Sequence, residues 1–182
     1  MKKTFRSQTS TRLGKILAGL PASERRLRAL FVYEDAVTQM WAGEICRQAK
    51  DLVSPDSFQA TWWKLEELQQ PAVLAGAVSE AMRADLIVLS THSAEGLPLP
   101  FYYWVNSWLP HRITRGLLIG LLGISNRTLR HTGRLRQYLR AVARNAPLDL
   151  ILREYYLRQV APAEPHTHNT ANGCRRRFRL KN

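Results

Sequence analysis

The 182-residue chain has only two cysteines, Cys46 and Cys174, far apart in the sequence. They support no disulfide framework and no paired zinc spacing, which suits a reducing compartment, and a cytoplasmic protein is expected. Long apolar runs are also missing. The longest, over 116–124, is too short to cross a bilayer. Lys15 interrupts the one apolar stretch near the N-terminus, L-G-K-I-L-A-G-L, so no signal peptide is expected. No G-x-G-x-x-G follows any apolar run and no Walker loop occurs, which excludes the usual dinucleotide and P-loop sites. Acidic residues are scarce as well, 14 against 27 basic ones, leaving a formal net charge of +13.

That charge is unevenly placed. Residues 1–26 hold seven basic and one acidic side chain, and residues 159–182 hold five and one. The ends therefore read as a basic N-terminal extension and a basic disordered tail flanking one α/β domain over 27–158. Within the domain, 27–111 carries five basic and ten acidic groups, whereas 112–158 carries ten and two. A polarised domain with an arginine-rich flank follows, suited to an acidic partner. A merely solvated helix face is the competing reading of the same residues.

Five apolar segments have the length and flanks of strands: 28–33, 58–63, 86–89, 116–122 and 148–153. The first, third and fourth are apolar at nearly every position, as strands buried on both faces are. The second begins with alternation (Phe58, Ala60, Trp62) and the fifth carries Asp149, so both read as edges. Helical spacing fills the gaps. After Asp35 as N-cap, a helix places Val37, Met40, Trp41, Ile45 and Leu52 on one face. Pro71 opens a helix with a stripe of Val73, Leu74, Ala77, Val78, Ala81 and Met82. Phe101, Trp104, Val105, Trp108 and Leu109 form the stripe of a third helix, read as core rather than as a cofactor box. A fourth buries Leu135, Tyr138, Leu139 and Val142 and shows Arg134, Arg136, Arg140 and Arg144. Strands alternating with helices predict a three-layer α/β sandwich around a five-stranded parallel sheet, and the edge assignments match the order 2-1-3-4-5. No full helix follows the fifth strand, and an amphipathic helix over 10–20 (Leu13, Ile16, Leu17, Leu20) is expected to fill the gap it leaves.

In that order Glu34, Asp35, Ser90, Thr91, His92 and Ser93 meet in one crevice at the carboxyl ends of strands 1 and 3. Glu34 and Asp35 beside hydroxyls suit a hard cation, with Mg²⁺ the candidate, although Asp35 also reads as a plain cap and Glu34 as a solvated end residue. His92 could act as a general base on Ser90 or on a bound substrate, or could bond only its own loop. His166, His168 and Cys174 in the tail lack ligand spacing, and the R-R-R-F-R run at 175–179 reads as a solvated segment before it reads as a phosphate contact.

Residues 27–154 resemble the response-regulator receiver family. A-L-F-V-Y-E-D puts Glu34 and Asp35 where that family has its acidic pair, and D-L-I-V-L-S puts Ser90 where it has the phosphoacceptor aspartate. Strand 4 ends in Leu122-Gly123 without the family's hydroxyl, and Arg153 stands at the position of its lysine. The resemblance implies a receiver-like, flavodoxin-type fold, a degenerate pseudo-receiver in bacterial signalling, and no phosphotransfer, since serine forms no acyl phosphate. The flavodoxin family shares the topology, but here the loop after strand 1, E-D-A-V-T-Q, is acidic and glycine-free and would repel a phosphate.

The chain is accordingly expected to act without catalysis, by protein–protein interaction through Arg134, Arg136, Arg140 and Arg144. Two other readings stand beside this one. The crevice could serve a small-molecule-binding or hydrolytic enzyme using Ser90 and His92, and the basic tails could associate nonspecifically with nucleic acid.

Overall fold

Tyr33 pairs with Ser90 in register, and from that junction the sheet is built outward. The computed structural model describes residues 26–92, 97–124 and 129–156, together with Thr11, Gly14 and Lys15. Five parallel strands, β1 (Leu27–Tyr33), β2 (Phe58–Lys64), β3 (Leu86–Thr91), β4 (Gly116–Ile124) and β5 (Leu148–Tyr156), lie in the order β2-β1-β3-β4-β5. Four helices connect them: α1 (Ala36–Lys50), α2 (Pro71–Arg83), α3 (Leu99–Trp108) and α4 (Leu129–Asn145). This is the flavodoxin-like α/β arrangement that the strand pattern predicts.

The unbroken apolar runs are explained by two cores. Successive strand side chains point to opposite faces, so Leu86 and Val88 join one core while Ile87 and Leu89 join the other. The larger core is closed by α2, α3 and α4, with Phe101, Trp104 and Trp108 almost wholly buried in it. On the opposite face α1 packs Trp41, Ala42, Ile45 and Ala49 over β1 and β3. Leu117, Ile119, Leu121 and Ile151 continue that second core and are buried, although α1 is the only complete helix described on their side. The helix expected over 10–20 lies outside the described residues except for Thr11, Gly14 and Lys15, which are helical and exposed. The tail beyond Tyr156, with His166, His168 and Cys174, also lies outside them.

Two expectations are corrected. Val37 (44 %) and Met40 (66 %) are exposed and Leu52 lies at the surface, so the buried face of α1 is not the one their apolarity suggests. Trp41 and Ile45 are buried as expected, and Thr38, Ala42 and Ala49 complete that face in place of Val37, Met40 and Leu52. Thr38 is fully buried as part of the helix cap and lies on the same side of α1 as Trp41, Ala42, Ile45 and Ala49. In addition, β5 does not stop at Arg153. Gly123 and Ile124 of β4 pair with Tyr155 and Tyr156, and the ladder carries the strand to Tyr156.

Candidate functional site

The carboxyl ends of β1 and β3 bring Glu34, Asp35, Ser90, Thr91 and His92 of the predicted crevice together, while Ser93 lies outside the described residues. Beyond the Tyr33–Ser90 pair, Glu34 turns back over β3, where its Oε2 accepts from the Thr91 hydroxyl (2.6 Å) and from the His92 backbone N–H (2.9 Å). Asp35 starts α1 as its N-cap in extended backbone conformation, and its Oδ1 accepts from Thr38 N–H at 2.9 Å. Thr38 answers as the other half of a capping box, its Oγ1 accepting from Asp35 N–H at 2.7 Å. The second carboxylate oxygen, Oδ2, holds His92 Nε2 at 2.5 Å. A carboxylate can only accept, so Nε2 carries the proton in this bond.

The pair is electrostatically matched. Burial pushes the Asp35 carboxyl up, but the Thr38 N–H and His92 outweigh it and bring it down to about 2. Burial pushes the His92 imidazole down, and the bond to Asp35 with the charges of Glu34 and Asp35 more than reverses this, so it is raised. The two groups therefore favour each other's charged forms.

Ser90 is placed differently from its neighbours. It is fully buried, and its hydroxyl donates to the Thr38 carbonyl at 2.7 Å, tying β3 to the first turn of α1. His92 is thus held by Asp35, and the hydroxyls of Thr38, Ser90 and Thr91 are each committed to another acceptor. A hard cation fits the arrangement poorly. Glu34 Oε2 already accepts two donors and both Asp35 oxygens are committed, to the cap and to His92. Among the described residues no group of three or more His, Cys, Asp or Glu is set to hold a metal ion.

Three contributors escaped the sequence reading. The D-A-V-T spacing of Asp35 and Thr38 is a cap signature and was open to detection. Gly123 had no such signal. A Cβ there would lie 3.0 Å from His92 Cα, closer still to His92 Cβ, and 3.2 Å from Trp41 Cη2. The absence of a side chain at Gly123 leaves the room that His92 Cα and Cβ and the Trp41 ring occupy. Tyr155 stacks on Trp41 (centroids 4.3 Å, 4° between planes), and the Arg153 guanidinium lies 4.8 Å above the Tyr155 ring. Gly123→Ala is expected to lower stability by about 1–3 kcal/mol through overpacking. Urea unfolding checks the loss, and the ring resonances of His92 should shift with it; a loss below about 0.5 kcal/mol, within the scatter of ordinary surface changes, would refute the close-contact account.

The four flank arginines are not equivalent. Arg134, Arg140 and Arg144 line a groove of about 760 Å³ between α4 and the outer side of β5, over Tyr138, Leu148 and Leu150. Arg136, two positions from Arg134 and so turned about 200° around the helix, is drawn onto β5 by an ion pair with Glu154 (3.0 Å). Burial pushes the Tyr138 phenol up to about 12, so it is neutral throughout the physiological range. Among the described residues no helix is long and apolar enough to cross a membrane.

Compared with protein-family models, with curated proteins and with solved structures, the chain matches none, and its likeness to known proteins rests on the flavodoxin-like strand order.

Proposed function

We propose that the protein is a non-catalytic, receiver-like α/β domain that works in signalling by binding another protein through the α4–β5 face. The observation that carries this reading is the groove of Arg134, Arg140 and Arg144. Three cations stand over an apolar floor with no carboxylate of the described residues within ion-pair distance of them. Elsewhere the surface cations of the domain are often answered locally, as in Arg47 with Glu44, Lys64 with Glu66 and Arg83 with Glu80. Asp149 shares the groove wall but makes no ion pair with them, so three like charges face one negative charge in the free protein, and a partner's carboxylates would relieve the remaining repulsion.

The crevice supports the reading from the other side. Serine replaces the residue that would take a phosphoryl group, Asp35 is spent on a helix cap and the bond to His92, and Glu34 Oε2 on the Thr91 hydroxyl and the His92 N–H. Such a domain would signal by being bound, not by being phosphorylated.

Arg140→Glu with Arg144→Glu is expected to abolish complex formation. Asp35→Asn, which keeps the cap, should leave it intact. Site-specific cross-linking from position 137 in the producing cells, read for each variant, checks both. A complex lost with Asp35→Asn but kept with the double reversal would move the function to the crevice.

A further inference from the structure

We infer that the outer edge of β2 pairs with β2 of a second copy of this chain, antiparallel and centred on Ala60, so that the two sheets become one. The inference stands apart from the α4–β5 reading, because β2 and β5 are opposite edges of the sheet.

The two edges are guarded differently. β5 carries Asp149, Arg153 and Glu154, charges of the kind that keep an exposed edge from templating a further strand. β2 has no charge from Phe58 to Trp63. Nor does it contain proline or glycine, and its one-to-one register with β1 leaves no bulge to twist the edge away. Among the described residues β1 is its only strand partner. An uncharged run of this kind, rich in aromatic side chains, is the pattern most prone to add a strand.

The strand is complementary to itself. Two copies related by a two-fold axis meet antiparallel, since only that arrangement exchanges the same hydrogen bonds in both directions. Centring the pair on Ala60 sets Phe58 opposite the second copy's Trp62, and Gln59 opposite its Thr61, each pair occurring twice. Phe58 and Trp62 are only partly buried within one chain, although Trp62 already stacks on Phe31 (4.2 Å, 12°). Pairing would cover more of both rings, as cross-strand aromatic neighbours do.

The charges agree with this direction. Asp56, exposed in the turn Pro55–Ser57 before β2, is brought to the second copy's Lys64, whereas parallel pairing would set lysine beside lysine. Lys64 meets Glu66 of its own chain but keeps 34 % of its side chain exposed, which leaves room for a second carboxylate. The chain's own ends suit the edge less well. Residues 159–182 are interrupted by Pro162 and Pro165, and Leu13, Ile16, Leu17 and Leu20 stand at helical spacing, not at the alternation of a strand.

The test is analytical ultracentrifugation of the full chain across the micromolar range, where a concentration-dependent dimer is expected. Gln59→Lys with Thr61→Lys sets two like-charged pairs across the axis and should weaken the dimer at least about tenfold. Gln59→Glu with Thr61→Lys sets two opposite-charged pairs at the same places and should keep it. Circular dichroism shows that both variants fold. A dimer weakened equally by both, or by neither, overturns the inference. So does one abolished by Arg140→Glu with Arg144→Glu, which would place the contact on the α4–β5 face. A monomer throughout overturns it as well. Slow amide exchange along β2 in that monomer would assign the edge to the chain's own ends, and fast exchange would leave it to a strand of a different protein.

Discussion

Arg112→Ala is expected to lower the unfolding free energy by about 3–4 kcal/mol, the largest loss foreseen for a single side chain here. Arg112 follows the short helical turn Leu109–His111 and is only 5 % exposed, at the end of the sheet opposite the crevice. Its guanidinium donates to two backbone carbonyls at the C-terminal end of α2, those of Ala81 and Ala84, the latter at 2.7 Å. The final carbonyls of a helix have no partner within it and carry its negative pole, so a buried cation is suited to them twice over. Burial pulls the guanidinium down to about 10, against which the nearby Asp85 pushes up, and the group stays charged at neutral pH. Alanine would orphan both carbonyls and leave a cavity between α2 and the sheet. Relief of the cost of burying the cation offsets only part of that. Arg112→Lys should recover less than half of the loss, because an ammonium is a single point charge and cannot span both carbonyls. Equilibrium urea unfolding decides this, and a lysine variant as stable as the native protein would show that charge alone, not the two-carbonyl geometry, is what α2 requires.

The second large effect is expected at Asp35. Asp35→Ala removes the N-cap of α1, worth about 1 kcal/mol, together with the charge-assisted bond to His92. Asp35 and His92 are both partly exposed, at 41 % and 31 % of the side chain, so solvent screening holds the pair to about 1 kcal/mol. The sum is about 2 kcal/mol. Asp35→Asn separates the two parts, since asparagine caps about as well as aspartate but carries no charge, and should lose only about 1 kcal/mol.

The pair also gives the protein a pH dependence with a defined sign. Asp35 is lowered in the folded state, so its contribution is present above the ordinary carboxylate value and fades as pH falls towards about 2. His92 is raised, so its contribution is complete below about 6.5 and is lost as pH rises through the folded value. The ion pair therefore contributes most between about pH 4 and 6.5 and less on either side. Asp35→Asn should flatten the alkaline side of that profile. An asparagine variant with the native pH profile would remove His92–Asp35 as its source.

Much of the architecture was written in local patterns. Continuous apolar runs mark β1, β3 and β4 as interior strands because a sheet covered on both faces needs an apolar side chain at every position. Edges, crossovers and the order β2-β1-β3-β4-β5 follow from where those runs stand relative to the helices between them. The same topology brought Glu34 and Asp35 to Thr91 and His92 across more than fifty residues of sequence.

What the sequence by itself determined is the sheet, its order, the crevice at the ends of β1 and β3, and an arginine-rich helix. Which atoms face which was decided only by tertiary packing. Val37 and Met40 are apolar, yet they face outward, while the polar Thr38 is buried with Trp41, Ala42, Ile45 and Ala49. Ser90 and Thr91 are adjacent hydroxyls, but strand alternation sends one to the α1 backbone and the other to Glu34. Arg136 sits among the flank arginines in sequence and is taken from them by Glu154, a residue of the neighbouring strand. Gly123 and His92 share no local pattern, and only the pairing of β4 with β3 brings His92 into the room that a side chain at Gly123 would take. Periodicity specifies which side of an element is apolar, whereas the partner of a polar or absent side chain is set by elements distant in the chain, and that pairing exists only in the folded protein.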